Sequence, residues 1–202
     1  MRLLAVPSLP EIRLYTAHPA SGLRRFTWNG GAPYWAYQWA GGVALARHIL
    51  DSPEIVRGRR VLDLGAGSGI VGIAAAKSGA AEVLAAEIDP NAIAALRLNA
   101  EENGVFVATI GDDLTTGPAL DVDVVLVGDL FYASDLAARV LGFLDRCSAA
   151  GCSVLVGDPG REYLPRERLE LVAEYAVSDV GEARGMASKQ GGVFSLRAAV
   201  TA

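Results

Sequence analysis

The chain has 202 residues, 51% of them hydrophobic, a formal charge of −5 and two cysteines. This size suits one domain that buries its own core, and the apolar share excludes a disordered chain. Gly, Pro or charge interrupts every apolar run before the roughly 18–20 residues of a membrane span, and the acidic balance disfavours a nucleic-acid backbone as partner while leaving room for a basic protein or a small molecule.

The opening "MRLLAVPSLPEIR" holds too few apolar residues before Pro7 and Pro10 for a secretory signal, so a cytoplasmic protein is expected. Residues 1–32, with Pro7, Pro10, Pro19 and "WNGG" at 28–31, read as an irregular N-terminal arm, and 33–202 as the domain proper. Trp35, Trp39, Val43, Ala46 and Leu50 recur at helical spacing between Tyr34 and Leu50. "RRVLDLG" then predicts a strand, "GIVGIAAAKSGA" a helix and "EVLAAEID" a second strand. "PNAIAALRLNAEENG" predicts a helix with Pro90 in its first turn and Gly104 at its stop. "VFVATIG" is the third strand and "DVVLVGDL" the fourth; "ASDLAARVLGFLDRCSAAG" is the helix before the fifth, "CSVLVGD". Beyond it a helix is expected at 165–174, a strand near 175–180, a Gly-rich loop at 181–192 and a last strand, "GVFSLRAAV". Unbroken apolar strands alternating with helices specify an α/β fold with a parallel sheet covered on both faces.

Cys147 and Cys152 match no metal or disulfide spacing and read as core thiols. Neither His18 nor His48 has a metal-like companion, so no metal is expected.

Gly65, Gly67 and Gly69 in "DLGAGSG" fall where the first strand turns into its helix, the place where an open parallel sheet binds ligands. Glu87 ends the second strand about twenty residues on, where a carboxylate can hydrogen-bond two ribose hydroxyls. Together they point to a nucleoside cofactor. "GSGIVG" at 67–72 satisfies the dinucleotide fingerprint, which keeps a nicotinamide cofactor in play. Two details favour S-adenosylmethionine: Asp63 lies inside the strand, where it fastens the loop or meets the ligand's ammonium through water, and the fingerprint starts after the strand has ended. "GDD" at 111–113 offers Asp112 for an adenine amino group, or else a turn or helix cap. "GDLFY" puts Asp129 at the end of the fourth strand and Tyr132 three residues later, where both could face the reacting group; a helix cap and a packing aromatic are the alternative. Arg161 in "GDPGR" reads as a partner for a substrate carboxylate or as part of a simple turn. The loop at 181–192 reads as a mobile cover for a protein partner or as an exposed connection.

These residues make the sequence resemble the class I S-adenosylmethionine-dependent methyltransferases, and among them the electron transfer flavoprotein beta-subunit lysine methyltransferases. The resemblance rests on "PYWAYQWAGGVALARHILDSPEIVRG", "VLDLGAGSG", "EIDPNAIAALRLN", "GDLFYASDLA" and "VLVGDPGR". It implies a Rossmann-like seven-stranded sheet, mostly parallel with the last strand antiparallel, and transfer of a methyl group to a lysine amine, leaving S-adenosylhomocysteine. By matching position, Gly65 and Gly67 would pass under the cofactor, Glu87 would hold its ribose, Asp112 would reach adenine and Trp39 would border the methionine end. Asp129 would align the amine, with Tyr132, Trp39 and Tyr37 as an aromatic wall. The implied acceptor is the flavoprotein beta subunit or a ribosomal protein, and a monomer is expected. A small-molecule methyltransferase, a nicotinamide-dependent oxidoreductase and a binding-only domain are the other readings of these residues.

Overall fold

In a computed structural model, the structure describes residues 1–18, 20, 22, 23, 32–177 and 189–197. "WNGG" at 28–31, residues 181–188 of the Gly-rich loop and positions 198–200 of the last strand lie outside the described residues. The start of the chain is not irregular: β1 (Arg2–Val6) and β2 (Leu9–Thr16) form an antiparallel hairpin. Pro7 falls in its turn, and Val6, Leu9, Ile12 and Leu14 are at most 1% exposed and join the main core. That burial outweighs what the prolines suggest, so the hairpin is part of the body of the protein.

The helix expected from Tyr34 begins later. Tyr34–Ala36 make a single 3-10 turn, Trp39 is extended, and α1 (Ala40–Asp51) starts with Gly41 and Gly42 inside its first turn. The alternation then runs as read: β3 (Arg60–Leu64), α2 (Ile70–Lys77), β4 (Glu82–Ala86), α3 (Pro90–Glu102), β5 (Ala108–Ile110), β6 (Val124–Gly128), α4 (Ser134–Ala149) and β7 (Ser153–Asp158). Local rules set the ends of α3. Pro90 opens it, Asp89 accepts from the Asn91 N–H at 2.8 Å, and Gly104 follows its end with φ +65°.

Residues 165–174 are not a helix. Only Arg166–Arg168 turn, and Leu169–Val177 form β8, the edge strand, paired antiparallel with β9 (Lys189–Leu196). The sheet order is β5-β4-β3-β6-β7-β9-β8, with β3 to β7 parallel and β9 antiparallel to both neighbours. The expected seven-stranded sheet with an antiparallel last strand is what forms.

One core lies between the sheet and α1, α2, α3 and the hairpin, and a second between the sheet and α4. Cys147 and Cys152 are free and buried in the second. The first turn of α1 presses directly on the sheet. A Cβ on Gly41 would sit 2.3 Å from the Gly157 carbonyl oxygen, and one on Gly128 3.1 Å from the Gly42 Cα. This contact fixes where the N-terminus of α1 ends up.

Candidate active site

The site lies at the carboxyl ends of β3, β4, β6 and β7. After β3 the chain turns through Gly65, Gly67 and Gly69 at φ +69°, +53° and +82°, conformations that favour glycine. The three differ in surroundings. A Cβ on Gly65 would meet Leu130 at 2.6 Å and one on Gly69 would meet Leu96 at 2.7 Å, whereas one on Gly67 would find nothing nearer than the Trp35 Cα at 3.9 Å. At Gly65 and Gly69 the Cβ side is thus filled by a neighbouring side chain, whereas at Gly67 it is open.

Glu87 braces this turn. One carboxylate oxygen accepts from the Gly67 N–H at 2.8 Å and the other from the Asp89 N–H at 2.9 Å. Each oxygen keeps a further lone pair, and the side chain is half-buried. Asn99, fully buried on α3, adds a tie the sequence did not disclose. Its amide donates to the Ser68 carbonyl and accepts from the Tyr15 N–H, both at 2.8 Å, joining the glycine turn to the hairpin. Asp63 fastens the far end, accepting from the Gly72 N–H in the first turn of α2 at 2.8 Å. Burial, and then the Glu87 charge, push its carboxyl up to about 7. Asp112 is exposed after β5, while its neighbour Asp113 is the cap, holding the Thr115 N–H at 3.0 Å.

Asp129 directly follows β6, in the left-handed region at φ +59°. Its Oδ2 accepts from the Gly42 N–H at 2.6 Å and its Oδ1 from Arg161 Nη2 at 2.6 Å. Trp39 gives α1 no side-chain cap, so Asp129 supplies one from another element, with the helix N-terminus favouring its charge. Burial raises the Asp129 carboxyl, opposed by Arg161 and the α1 amides. The carboxylate faces α1 and Arg161 with both oxygens engaged.

Arg161 does not reach outward for a substrate carboxylate. Besides Asp129 it lies 3.6 Å from Asp158 Oδ2 through Nε, and its guanidinium carbon is 5.6 Å from the Trp39 ring centre. Asp158 is fully buried and its Oδ1 accepts the N–H groups of Gly160 and Arg161, both at 2.7 Å, which shapes the "GDPGR" turn. Trp39 donates its indole N–H to the Tyr34 carbonyl at 2.9 Å and lies 6.0 Å from the Tyr34 ring and 6.4 Å from that of Tyr37. Tyr132, exposed, lines a cleft of about 380 Å³ with Gly160, Arg161 and Tyr163. Burial, then the charges of Tyr34 and Glu87, raise its phenol. A larger cleft, about 510 Å³, lies between Arg60, Asp121 and Asp123 at the opposite ends of the strands, away from all these groups.

Among the described residues no group of three His, Cys, Asp or Glu could hold a metal, and no helix is long and apolar enough to cross a membrane. The site offers instead an open glycine turn beside a carboxylate, and next to it a buried carboxylate under an aromatic face.

Solved structures share this frame. A ribosomal protein L11 methylase from Lactobacillus delbrueckii subsp. bulgaricus matches with a TM-score of 0.52 at 22% identity, over 76% of this chain and 77% of that one. A T. thermophilus 16S rRNA methyltransferase, solved with AdoMet and guanosine, matches with a TM-score of 0.53 at 23% identity, over 78% of this chain and 43% of that one. The family model for ribosomal protein L11 methyltransferase matches residues 45–130. These structures share the fold, a Rossmann-like sheet of the kind found in those methyltransferases. In sequence, the electron transfer flavoprotein beta subunit lysine methyltransferase of Xenopus laevis is 43% identical over 185 residues, covering 86% of this chain and 74% of the relative. The chain belongs to the electron transfer flavoprotein beta subunit lysine methyltransferase family.

Proposed function

We propose that this protein transfers methyl groups from S-adenosylmethionine to lysine side chains of an electron transfer flavoprotein beta subunit. The observation that carries the reading is the identity of 43% extending over 86% of the chain. The residues present fit the cofactor: the open face of Gly67 admits a ligand to the backbone, and Glu87 beside it keeps a lone pair on each oxygen for ribose hydroxyls. Asp112, exposed after β5, is taken as the partner of the adenine amino group, and Trp39 as the border of the methionine end. When bound, S-adenosylmethionine supplies an electrophilic methyl group.

The chain's own task is to hold the amine in line and uncharged. A free lysine amine has a pKa near 10.4, so it arrives as an ammonium, which aromatic faces suit, and must shed a proton before transfer. In this reading Tyr37, Trp39 and Tyr132 are the aromatic wall, and Asp129 aligns the amine by hydrogen bonding. Asp63 serves the cofactor only through the loop it fastens. The same reading takes the enzyme to be a cytoplasmic monomer, which light scattering and cell fractionation test.

Incubation with S-adenosylmethionine and a recombinant flavoprotein beta subunit, read by peptide mass spectrometry, is expected to show methylated lysine. Ribosomal protein L11 serves as the parallel acceptor. Methyl label on metabolites or nucleic acid, with none on protein, overturns the proposal.

A further inference from the structure

The Asp129 carboxylate and the Trp39 face together make a site for a cation: an acceptor oxygen for an N–H donor, with a π surface beside it. In the structure that site is filled from within. Arg161 Nη2 sits 2.6 Å from Asp129 Oδ1, and its guanidinium carbon lies 5.6 Å from the Trp39 ring centre. We propose that Arg161 holds the acceptor's place, and that the ammonium of an incoming lysine displaces its guanidinium from Asp129 and Trp39 toward Asp158. The proposal rests on the lysine-methylating reading above and names how that site receives its substrate.

The second resting place is already built. Arg161 Nε and Asp158 Oδ2 are 3.6 Å apart, too far for a hydrogen bond, and each is buried without a hydrogen-bond partner. A buried polar atom without a partner is costly, so one movement of the side chain that closes this gap satisfies both. The main chain need not follow, because Asp158 Oδ1 pins the Gly160 and Arg161 N–H groups at 2.7 Å. The charges agree. Two buried carboxylates face one guanidinium, so a second cation at Asp129 completes the set rather than crowding it. Two states of one side chain, biased by which cation occupies Asp129, are enough for the exchange.

The test uses the full chain and n-butylammonium, the end of a lysine side chain, as probe. Arg161→Gln removes the competing cation and is expected to bind the probe roughly five- to tenfold more tightly than the wild type. Arg161→Lys keeps a charge in the site and is expected to bind as the wild type does. Asp158→Asn keeps an acceptor but removes the charge that receives the guanidinium, and is expected to bind more weakly. In the wild type, the NMR signal of the Arg161 Nε–H, assigned by its loss in Arg161→Lys, is expected to shift downfield on saturation as it gains Asp158. An unmoved Nε–H signal, or an Arg161→Gln that binds no more tightly than the wild type, overturns the proposal; should that variant fail to fold, the Nε–H signal still decides. Methyl transfer to the protein acceptor is measured separately. Transfer with an unmoved Arg161 leaves the function standing without the exchange, and exchange without transfer removes the function alone.

Discussion

Gly41 on α1 and Gly157 on β7 are packed backbone to backbone, a Cβ on Gly157 falling 2.2 Å from the Gly41 carbonyl oxygen. Neither position has room for a side chain, and both touching atoms are main chain, which cannot swing aside. Through this contact the Gly42 N–H is delivered to Asp129.

Gly41→Ala is therefore expected to cost about 1–3 kcal/mol by overpacking, a fall of roughly 3–10 °C in Tm for a chain of this length. Turnover should fall further than stability explains, since α1 must lift away from Asp129. Gly142→Ala makes the comparison. Gly142 lies inside α4 with nothing nearer its Cβ than Arg146 Nη1 at 3.7 Å, so this change should stabilise by about 0.5–1 kcal/mol. Thermal melts of both variants, with turnover measured below the lower Tm, check the pair.

At Asp129, backbone and charge can be separated. Asn tolerates φ +59° and its one oxygen still accepts from Gly42, but its amide NH2 then faces Arg161, so Asp129→Asn loses the charge and the acceptor for Arg161 together. Methyl transfer should drop at least about 100-fold in single-turnover assays, with S-adenosylhomocysteine affinity within about threefold. Asp129→Ala also loses the short polar side chain that makes the left-handed region tolerable and the bond from Gly42, about 1–2 kcal/mol more, and should melt lower than the Asn variant. Nearly full turnover by Asp129→Asn would remove the aspartate from the reaction.

Glu87→Gln tests the cofactor assignment. The carboxylate becomes an amide and one of its two acceptor oxygens becomes a donor facing an N–H. Weakening by about 10–100-fold is expected for S-adenosylhomocysteine in calorimetry, from the loss of charged hydrogen bonds. NAD titrated in parallel should bind neither form. Tight NAD binding by the wild type would restore the oxidoreductase reading.

Asp63 makes stability depend on pH. Its folded value of about 7 lies above the 3.8 it has without burial, so the folded chain holds a proton that the unfolded chain has lost. Its contribution is present in full below about pH 4, declines as pH rises toward 7 and is gone above it; the span is of the order of 4 kcal/mol. Asp63→Asn keeps an acceptor for Gly72 and removes the titration, so its denaturation free energy should overtake that of the wild type between pH 4 and 7. Parallel slopes for the two proteins across that range would refute the assignment.

The sequence disclosed what local rules determine. Apolar runs with Gly and Pro at their ends gave the order from β3 to β7, and the spacing from Gly67 to Glu87 anticipated a carboxylate beside the glycine turn. What it concealed depends on partners distant in the chain. "LELVAEYAV" carries charges at helical spacing, yet pairing with β9 makes it an edge strand. The prolines near the start concealed a hairpin whose alternate residues, Ile12 and Leu14, are buried. Arg161 and Asp158 looked like a turn, because nothing local says that Asp129, about thirty residues earlier, faces them. Asn99 stood inside a helical run without showing that it ties two elements together.

The place of β9 bears on how the site is supported. A Cβ on Gly191 would lie 2.8 Å from the Ala40 carbonyl oxygen and 2.7 Å from the Ala44 Cβ, so the helix that seats Asp129 rests on β9. That strand is inserted between β7 and β8, and it forms part of the floor beneath α1. A change that loosened this inserted strand would therefore reach Asp129 by way of α1, without altering any residue at the carboxyl ends of the parallel strands.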